Sequence, residues 1–349
     1  MSSPVAQPKW KELEYSRSQV INAGKTIRKG TATAEEQKAA IDIVDNWRAA
    51  HAYPLHIIYM HLRGMRGKRN DVLVAERLKR LDSIINKLKR ESNMNLWTMQ
   101  DLGGCRMIVP TVDDVYHYAE KYEKSRKRHL KKKTYDYIKD PKETGYRSLH
   151  IVYEFHSDKK ETYNKNMLIE IQFRTHLQHV WATAVETMGL FTNEAIKSGQ
   201  GSDDVKRFFV LCSALFALKE KQPLPKNVVN DESEIVHELE ALNAKNNYLD
   251  FLSGINLAID VQEKVLPKNS GYCILILNYN TKKLSIQPFS VSQFEKANEI
   301  YNSIESTRVE SKIDAVLVRV SSFKDIRLVY PNYFSDIEEF VNIVKEFLK

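Results

Sequence analysis

Tyr135-Asp136-Tyr137-Ile138-Lys139-Asp140-Pro141-Lys142-Glu143-Thr144-Gly145-Tyr146-Arg147-Ser148-Leu149-His150 gathers many polar side chains around a single turn. Pro141 and Gly145 bracket a loop. Proline fixes its own φ and glycine accepts backbone conformations that a Cβ forbids, so Lys142 to Thr144 are expected to project between two ordered elements. After the glycine the pattern turns to alternation: Leu149, Ile151, Tyr153 and Phe155 share one face, and Tyr146, Ser148 and His150 share the other. Such a strand has one oily face and one chemical face. A ring, a hydroxyl and an imidazole, entered through a lysine-bearing loop, suit a platform that stacks a base and holds phosphate. Taken alone, the segment reads first as a half-exposed edge strand with polar residues on its wet side.

A second strand changes the balance. In Met167-Leu168-Ile169-Glu170-Ile171-Gln172-Phe173-Arg174 the apolar Ile169, Ile171 and Phe173 alternate with Glu170, Gln172 and Arg174. A carboxylate, an amide and a guanidinium in one row could form a cross-strand ladder on a solvated surface. Two such faces close together in the chain favour a shared site over two separate ladders.

These motifs are specific enough to carry a resemblance. Asp-Tyr-Ile-x-x-Pro-Lys-x-x-Gly-Tyr-Arg-Ser-Leu-His at 136–150, followed by Glu-Ile-Gln-x-Arg-Thr at 170–175, resembles the synthetase domain of the RelA/SpoT alarmone synthetases. The likeness extends upstream through Arg77-Leu78-Lys79-Arg80-Leu81-Asp82-Ser83-Ile84-Ile85-Asn86-Lys87 and Asp101-Leu102-Gly103-Gly104-Cys105-Arg106, and the motifs keep the family's order. It implies a mixed β-sheet flanked by helices, an α+β fold. The implied activity is a pyrophosphokinase that moves the β,γ-diphosphate of ATP to the ribose 3′-hydroxyl of GDP or GTP. By the same resemblance Arg77 stacks on adenine and Arg106 closes over it from the other side, while Lys79, Ser83 and Lys87 contact the triphosphate. Asp101 and Glu170 hold Mg²⁺, which takes one or two protein carboxylates and keeps several waters. The acceptor's guanine is implied to stack on Tyr146, Lys142, Gln172 and Arg174 to orient the acceptor or its phosphates, and Ser148 and His150 also fall to the acceptor. Glu170 also becomes a candidate base for the 3′-hydroxyl, although a metal-bound carboxylate is poorly basic.

The chain has 349 residues, 42% hydrophobic and 10% aromatic, which is enough for two domains with proper cores. Its formal net charge of +8 points to polyanionic partners, nucleotide phosphates first. The run Lys124-Ser125-Arg126-Lys127-Arg128-His129-Leu130-Lys131-Lys132-Lys133 reads as a solvated basic loop leading into the acceptor loop, and it keeps an RNA acceptor open. Toxic relatives in the family place the same diphosphate on the 3′-end of tRNA. A catalytically silent nucleotide-binding regulator is the alternative of another class. Cys105, Cys212 and Cys273 have no metal-ligand spacing and read as reduced core thiols of a cytoplasmic protein. No apolar stretch is long enough to span a bilayer.

Along the chain, residues 10–50 read as helices, with Thr33 and Glu36 forming a capping box. Another helix is expected around Pro54 through Met65, then one from about Leu73 to Glu91 with a buried stripe of Leu78, Leu81, Ile84, Ile85 and Leu88. A helix follows at 111–124. After Arg174 a further helix puts His179, Thr183 and Glu186 on one face, and the resemblance makes His179 and Glu186 weaker acceptor candidates. His176 and His179 lie three apart without a third ligand, so they do not read as a metal pair. A helix over 203–221 ends in the proline-rich segment 221–226, the expected boundary. The domains expected are a helical extension over 1–55, a synthetase domain over 56–222, and a small α/β domain over 227–349. In that last part helix is expected over 232–265, strands at 272–279, 284–289 and 313–320, and helices at 291–304 and 335–348. It shows no catalytic constellation and reads as a regulatory or oligomerising unit.

Overall fold

The computed structural model describes residues 10–192, 202–253, 258–259, 271–278, 283–311, 313–320 and 337–349. Alternation becomes strand at β4 (Leu149–Glu154) and β5 (Leu168–Thr175), which pair antiparallel with His150 opposite Gln172 and Val152 opposite Glu170. Beside β5 runs the parallel strand β2 (Gly103–Val109), and beside that the antiparallel β1 (Leu73–Leu78). β3 (Leu130–Asp136) pairs with β4 on the far side. The fold is α+β with an open mixed sheet.

The sheet does not stop at β1. Strand β9 (Ile313–Val320) lies antiparallel to it, placing Glu76 opposite Arg319 and Arg77 opposite Val318. Beyond β9 come β7 (Gly271–Asn278), β8 (Lys283–Phe289) and the short β6 (Ala258–Ile259), giving the order β3-β4-β5-β2-β1-β9-β7-β8-β6 among the described residues. β3 is thus an edge. It carries Lys131, Lys132 and Lys133, all exposed, with a register shift between Lys131 and Lys133. Charged side chains and a bulge keep an open edge from pairing with other chains, so the second half of the basic run is strand, not the loop expected from its composition.

Helices α1 (Arg17–Lys29) and α2 (Ala34–Ala50) both start with capping boxes, from Ser16 and from Thr33. Pro54 sits in the first turn of α3 (Ala52–Arg66), where a missing N–H costs no helical bond. The expected helix from Leu73 to Glu91 is instead β1 followed by α4 (Leu81–Arg90). The sequence lacks a breaker there, but β1 is paired on both sides and the ladder outweighs helical spacing. Helix α5 (Val112–Lys124) packs with α3 on one sheet face, sharing a core with Met107, Ile151, Ile171 and Phe173. Helix α10 (Phe294–Ser311) closes the same face further along, through Phe294, Ala297 and Tyr301. The fully buried Arg48 of α2 ties it down, donating to Asp45 at 2.8 Å and to Asn298 and Asn302 at 2.9 and 2.8 Å.

A second core joins α6 (His176–Thr192), α7 (Asp203–Lys219), α8 (Glu232–Asn246), α9 (Tyr248–Ser253) and α11 (Glu338–Phe347). The expected helix over 232–265 gives way to strand at Ala258–Ile259; 254–257 and 260–265 lie outside the described residues, as do 279–282 and 335–336. Cys105, Cys212 and Cys273 are buried free thiols. No helix among the described residues is long and apolar enough to cross a membrane.

Candidate active site

Pairing register builds the site before any side chain is considered. Across four strands, Tyr135, His150, Gln172 and Arg106 are successive partners, and one step along Glu170, Gly104 and Arg77 are partners. Residues in register on one face stand side by side. The opposite face takes Cys105, Met107, Ile169, Ile171 and Phe173 into the core. Gly104 matters here because it has no side chain. A Cβ built on it would stand 4.0 Å from both the Arg77 and Glu170 carbonyl oxygens, with nothing nearer, so the floor between Arg77 and Glu170 stays open.

Above that floor is a cavity of about 1250 Å³, walled by α4 on one side and by α6 on the other. Pockets for a single drug-sized ligand run to roughly 1,000 Å³, so this one has room for two nucleotides. Arg77, Lys79, Ser83, Lys87 and Asp101 line one half; Lys142, Tyr146, His150, Glu170 and Gln172 line the other.

In the first half Asp101 is the hub. Lys79 Nζ donates to its Oδ2 at 2.6 Å and Lys87 Nζ to its Oδ1 at 3.1 Å. Burial alone would raise its carboxyl pKa, but the two ammonium groups outweigh burial and hold it well below the usual range. Lys79 moves the other way, its pKa lowered mainly by burial against the pull of Asp101. A short turn positions these groups: Lys79 N–H donates to the Leu102 carbonyl at 2.8 Å, joining the end of β1 to the approach of β2.

In the second half Glu170 is the hub. His150 Nδ1 donates to its Oε1 at 3.2 Å and Gln172 Nε2 to its Oε2 at 2.6 Å. Arg174 extends the chain, one nitrogen donating to Gln172 Oε1 at 2.6 Å and to the Tyr146 hydroxyl at 3.0 Å. Tyr146 Oη and His150 Nε2 are 2.8 Å apart, which closes the ring. Glu170 is buried, which works against its charge, yet His150 and Gln172 keep its pKa lowered while Asp101 pushes it up. For His150, burial opposes the imidazolium, but Tyr146 and Glu170 overcome it and the pKa is raised. Asp101 and Glu170 both line this one cavity.

The loop between β3 and β4 is built locally. Asp136 accepts from the Ile138 and Lys139 amides at 3.1 Å, an Asx-type turn leaving β3, and Gly145 N–H donates to the Lys142 carbonyl at 2.8 Å. Gly145 has φ +83°, and a Cβ there would meet Ser213 at 3.0 Å and Trp181 at 3.2 Å. Arg147 is anchored to Glu220 beyond the end of α7.

Other expected residues stand apart. Ser148 precedes β4, is fully buried and donates to the Phe173 carbonyl at 3.1 Å, so its hydroxyl does not reach the cavity. Arg106 is on the cavity face by register but is not among the lining residues, and neither are Arg174 and His179, which are 1% and 2% exposed. Tyr146 touches the cavity but is only 6% exposed. Glu186 lines it, 4.0 Å from Arg80 across the gap between α6 and α4. The sequence reading missed Tyr135, Tyr137 and Gln100, all of which line it. For the two tyrosines the signal was the spacing Tyr-x-Tyr at the end of β3, which puts both rings on one face.

Among the described residues no three His, Cys, Asp or Glu side chains cluster as a metal cage. Asp101 and Glu170 nonetheless fit Mg²⁺, a hard cation that takes oxygen ligands and needs only one or two carboxylates beside phosphate and water.

Residues 76–192 match the family described as "Region found in RelA / SpoT proteins". The GTP pyrophosphokinase YjbM of Bacillus subtilis is 38% identical over 114 residues, 32% of this chain and 52% of that protein. YwaC of the same organism, also named a GTP pyrophosphokinase, is 32% identical over 115 residues, 31% of this chain and 52% of its own length. The chain therefore spans about half the length of the curated relatives it matches. Among solved structures, a GTP pyrophosphokinase family protein from Streptococcus pneumoniae is 25% identical with a TM-score of 0.43, covering 61% of this chain and 98% of that one. Small alarmone synthetase 1 from Bacillus subtilis is 27% identical with a TM-score of 0.40, covering 49% and 88%. Residues 76–192 thus form a region similar to that found in RelA/SpoT proteins and in GTP pyrophosphokinases.

Proposed function

We propose that the protein is an ATP-dependent pyrophosphokinase that transfers the β,γ-diphosphate of ATP to the ribose 3′-hydroxyl of GDP or GTP. The observation that carries this reading is the convergence of Asp101 and Glu170 on one two-nucleotide cavity, with cations on the Asp101 side and a hydrogen-bonded carboxylate on the other. ATP lies in the first half, where Lys79, Lys87 and Ser83 meet its triphosphate and Arg77, which lines the cavity, is assigned to adenine. Arginine suits that task because its planar, weakly hydrated fork can lie on a ring while donating. Lys142 and the Gln172–Arg174 pair orient the acceptor. The 3′-oxygen forms a bond to the β-phosphorus, the bond from that phosphorus to the α,β-bridging oxygen breaks, and AMP leaves. Glu170 takes the 3′-proton. Asp101 and Glu170 would hold Mg²⁺, which when bound neutralises phosphate charge. Positioning and charge neutralisation account for most of the acceleration in this chemistry.

A second reading takes the 3′-end of tRNA as acceptor, and the exposed Lys131, Lys132 and Lys133 of β3 are what favour it. Residues 227–349 are where we place regulation or self-association. Purified protein incubated with ATP labelled in the terminal phosphates and with GDP, GTP or deacylated tRNA separates the readings. Label on guanosine nucleotide, lost in Glu170→Gln, is the expected result. Label on tRNA alone favours the second reading, and tight nucleotide binding without turnover returns the chain to a silent regulator.

A further inference from the structure

The residues assigned to the donor hang from one strand and the helix that follows it. Arg77 lies in β1, Lys79 comes just after, and Ser83 and Lys87 lie on α4. Whatever shifts β1 shifts them all. On one flank β1 pairs with β2 from Leu73 to Leu78. On the other it pairs with β9 at two positions, Glu76 with Arg319 and Arg77 with Val318. The β2 partner of Arg77 is Gly104, which has no side chain, so the side chain flanking Arg77 across the ladder on its own sheet face is that of the buried Val318.

Two residue pairs supply few backbone hydrogen bonds, each of modest net value, and the side chains behind Arg77 supply the rest. Arg319, 5% exposed, reaches from β9 to three elements at once. Its Nε lies 3.9 Å from Glu76 Oε1 on β1, its Nη1 donates to a ring nitrogen of His56 on α3, and its guanidinium carbon stands 5.4 Å from the ring centroid of Tyr272 on β7 and 5.9 Å from that of Tyr59 on α3. Burial and the neighbouring guanidinium push the His56 pKa down to about 3, which leaves the imidazole neutral and able to accept. Trp10 stacks on His56, with centroids 5.1 Å apart and planes at 20°, and its ring lies 5.5 Å from that of Phe294 on α10. The space left among Glu76, Tyr272, Phe294 and Arg319 is about 10 Å³, no more than a single water needs. The joint is dry, and a planar fork with several donors is what lets one side chain serve all these neighbours.

We propose that Arg319 is a positioning residue of the donor half: by pinning β9 to β1 and α3 from behind the sheet it sets where Arg77 stands in the cavity, so that displacement of the C-terminal strands is felt as a change in ATP affinity. The inference rests on the donor reading of Arg77 given above and names the regulation placed in residues 227–349.

The test is calorimetric binding of ATP and of GDP, each alone, to the full-length protein and to its Arg319→Met, Arg77→Ala and doubly substituted variants, with the transfer assay beside it. Methionine keeps an apolar stem and loses the fork. Arg319→Met should weaken ATP by ~10-fold, the scale of one lost arginine–ring contact, and leave GDP affinity unchanged. In transfer it should raise the KM for ATP while kcat at saturating ATP stays close to wild type. Because Arg319 acts through Arg77, it should cost no further ATP affinity in the Arg77→Ala background. A general loosening of the fold would weaken ATP and GDP in step. An Arg319→Met variant that binds ATP as wild type does, that loses ATP and GDP in the same proportion, or that loses as much again in the Arg77→Ala background overturns the positioning role and leaves the donor reading standing. Wild-type protein that does not bind ATP, or an Arg77→Ala variant that binds it undiminished, overturns the donor reading, and the positioning role with it. Should Arg319→Met fail to fold, Arg319→Lys, which keeps the buried charge and loses the fork, is judged by the same outcomes.

Discussion

Gly104 acts by what it leaves out. Its would-be Cβ meets only two carbonyl oxygens at 4.0 Å, an ordinary van der Waals distance, so a small side chain there fits the sheet but stands in the cavity floor between Arg77 and Glu170. Gly104→Val should therefore keep the melting temperature close to wild type while cutting pyrophosphate transfer by ~100-fold, the scale of loss expected when reacting groups are displaced by about an ångström. Scanning calorimetry beside the transfer assay checks both halves. Gly145 is the opposite case. At φ +83°, with Ser213 and Trp181 already at 3.0 and 3.2 Å, an alanine is strained in backbone and crowded in packing, so Gly145→Ala should lower stability by ~1–3 kcal/mol in urea unfolding. Both glycines stand in motifs the sequence made visible, but only three-dimensional neighbours distinguish a glycine that keeps space open from one that needs a left-handed turn.

At the scale of elements, the loop between β3 and β4 is held from a distance. Glu220, just past α7, accepts from Arg147 in the loop, from the Thr175 hydroxyl at the end of β5 and from Gln178 Nε2 at 3.1 Å. The Arg147 and Glu220 side chains are 1% and 8% exposed. Removing one partner strands the other in a dry interior, so Glu220→Ala should cost about 3–5 kcal/mol, read as a shift in the urea midpoint. What was legible in the sequence follows the same division. Strands β4 and β5 could be read because alternation is local, and the Thr33 cap because it spans four residues. β1 could not: Leu73–Leu78 runs without a breaker into α4, and it is strand because β2 and β9 pair with it. The burial of Ser148, Arg174 and His179 was equally hidden, since alternation tells which face a residue takes and not what covers that face. Tyr137 was overlooked for the converse reason, as part of a motif quoted for its neighbours.

For the molecule as a whole, the meeting of β1 and β9 is the unusual joint. Glu76 is 4% exposed, with His56 at 4.0 Å and Arg319 at 3.9 Å. Burial outweighs the attraction of Arg319 and pushes its carboxyl up to about 8. An acid whose folded pKa lies above its unfolded value contributes stability that is fully present below the unfolded value near 4.5 and is lost as pH rises through about 8. Glu76→Gln imitates the protonated form, so the two proteins should have similar urea midpoints at acidic pH, and the variant should pull ahead on the alkaline side. A difference that does not vary with pH would remove Glu76 as its source. The same joint bears on the boundary at 222–227. A chain ending at residue 226 lacks β9 and exposes one side of β1, so it should aggregate in light scattering where the full chain does not.

The order in which a ribosome makes the chain adds a last consequence. Arg77 emerges early, but the strand that carries it keeps a bare flank until residues 313–320 have been synthesised. The cavity wall that carries Arg77 thus gains its second neighbour long after the strand itself has been made.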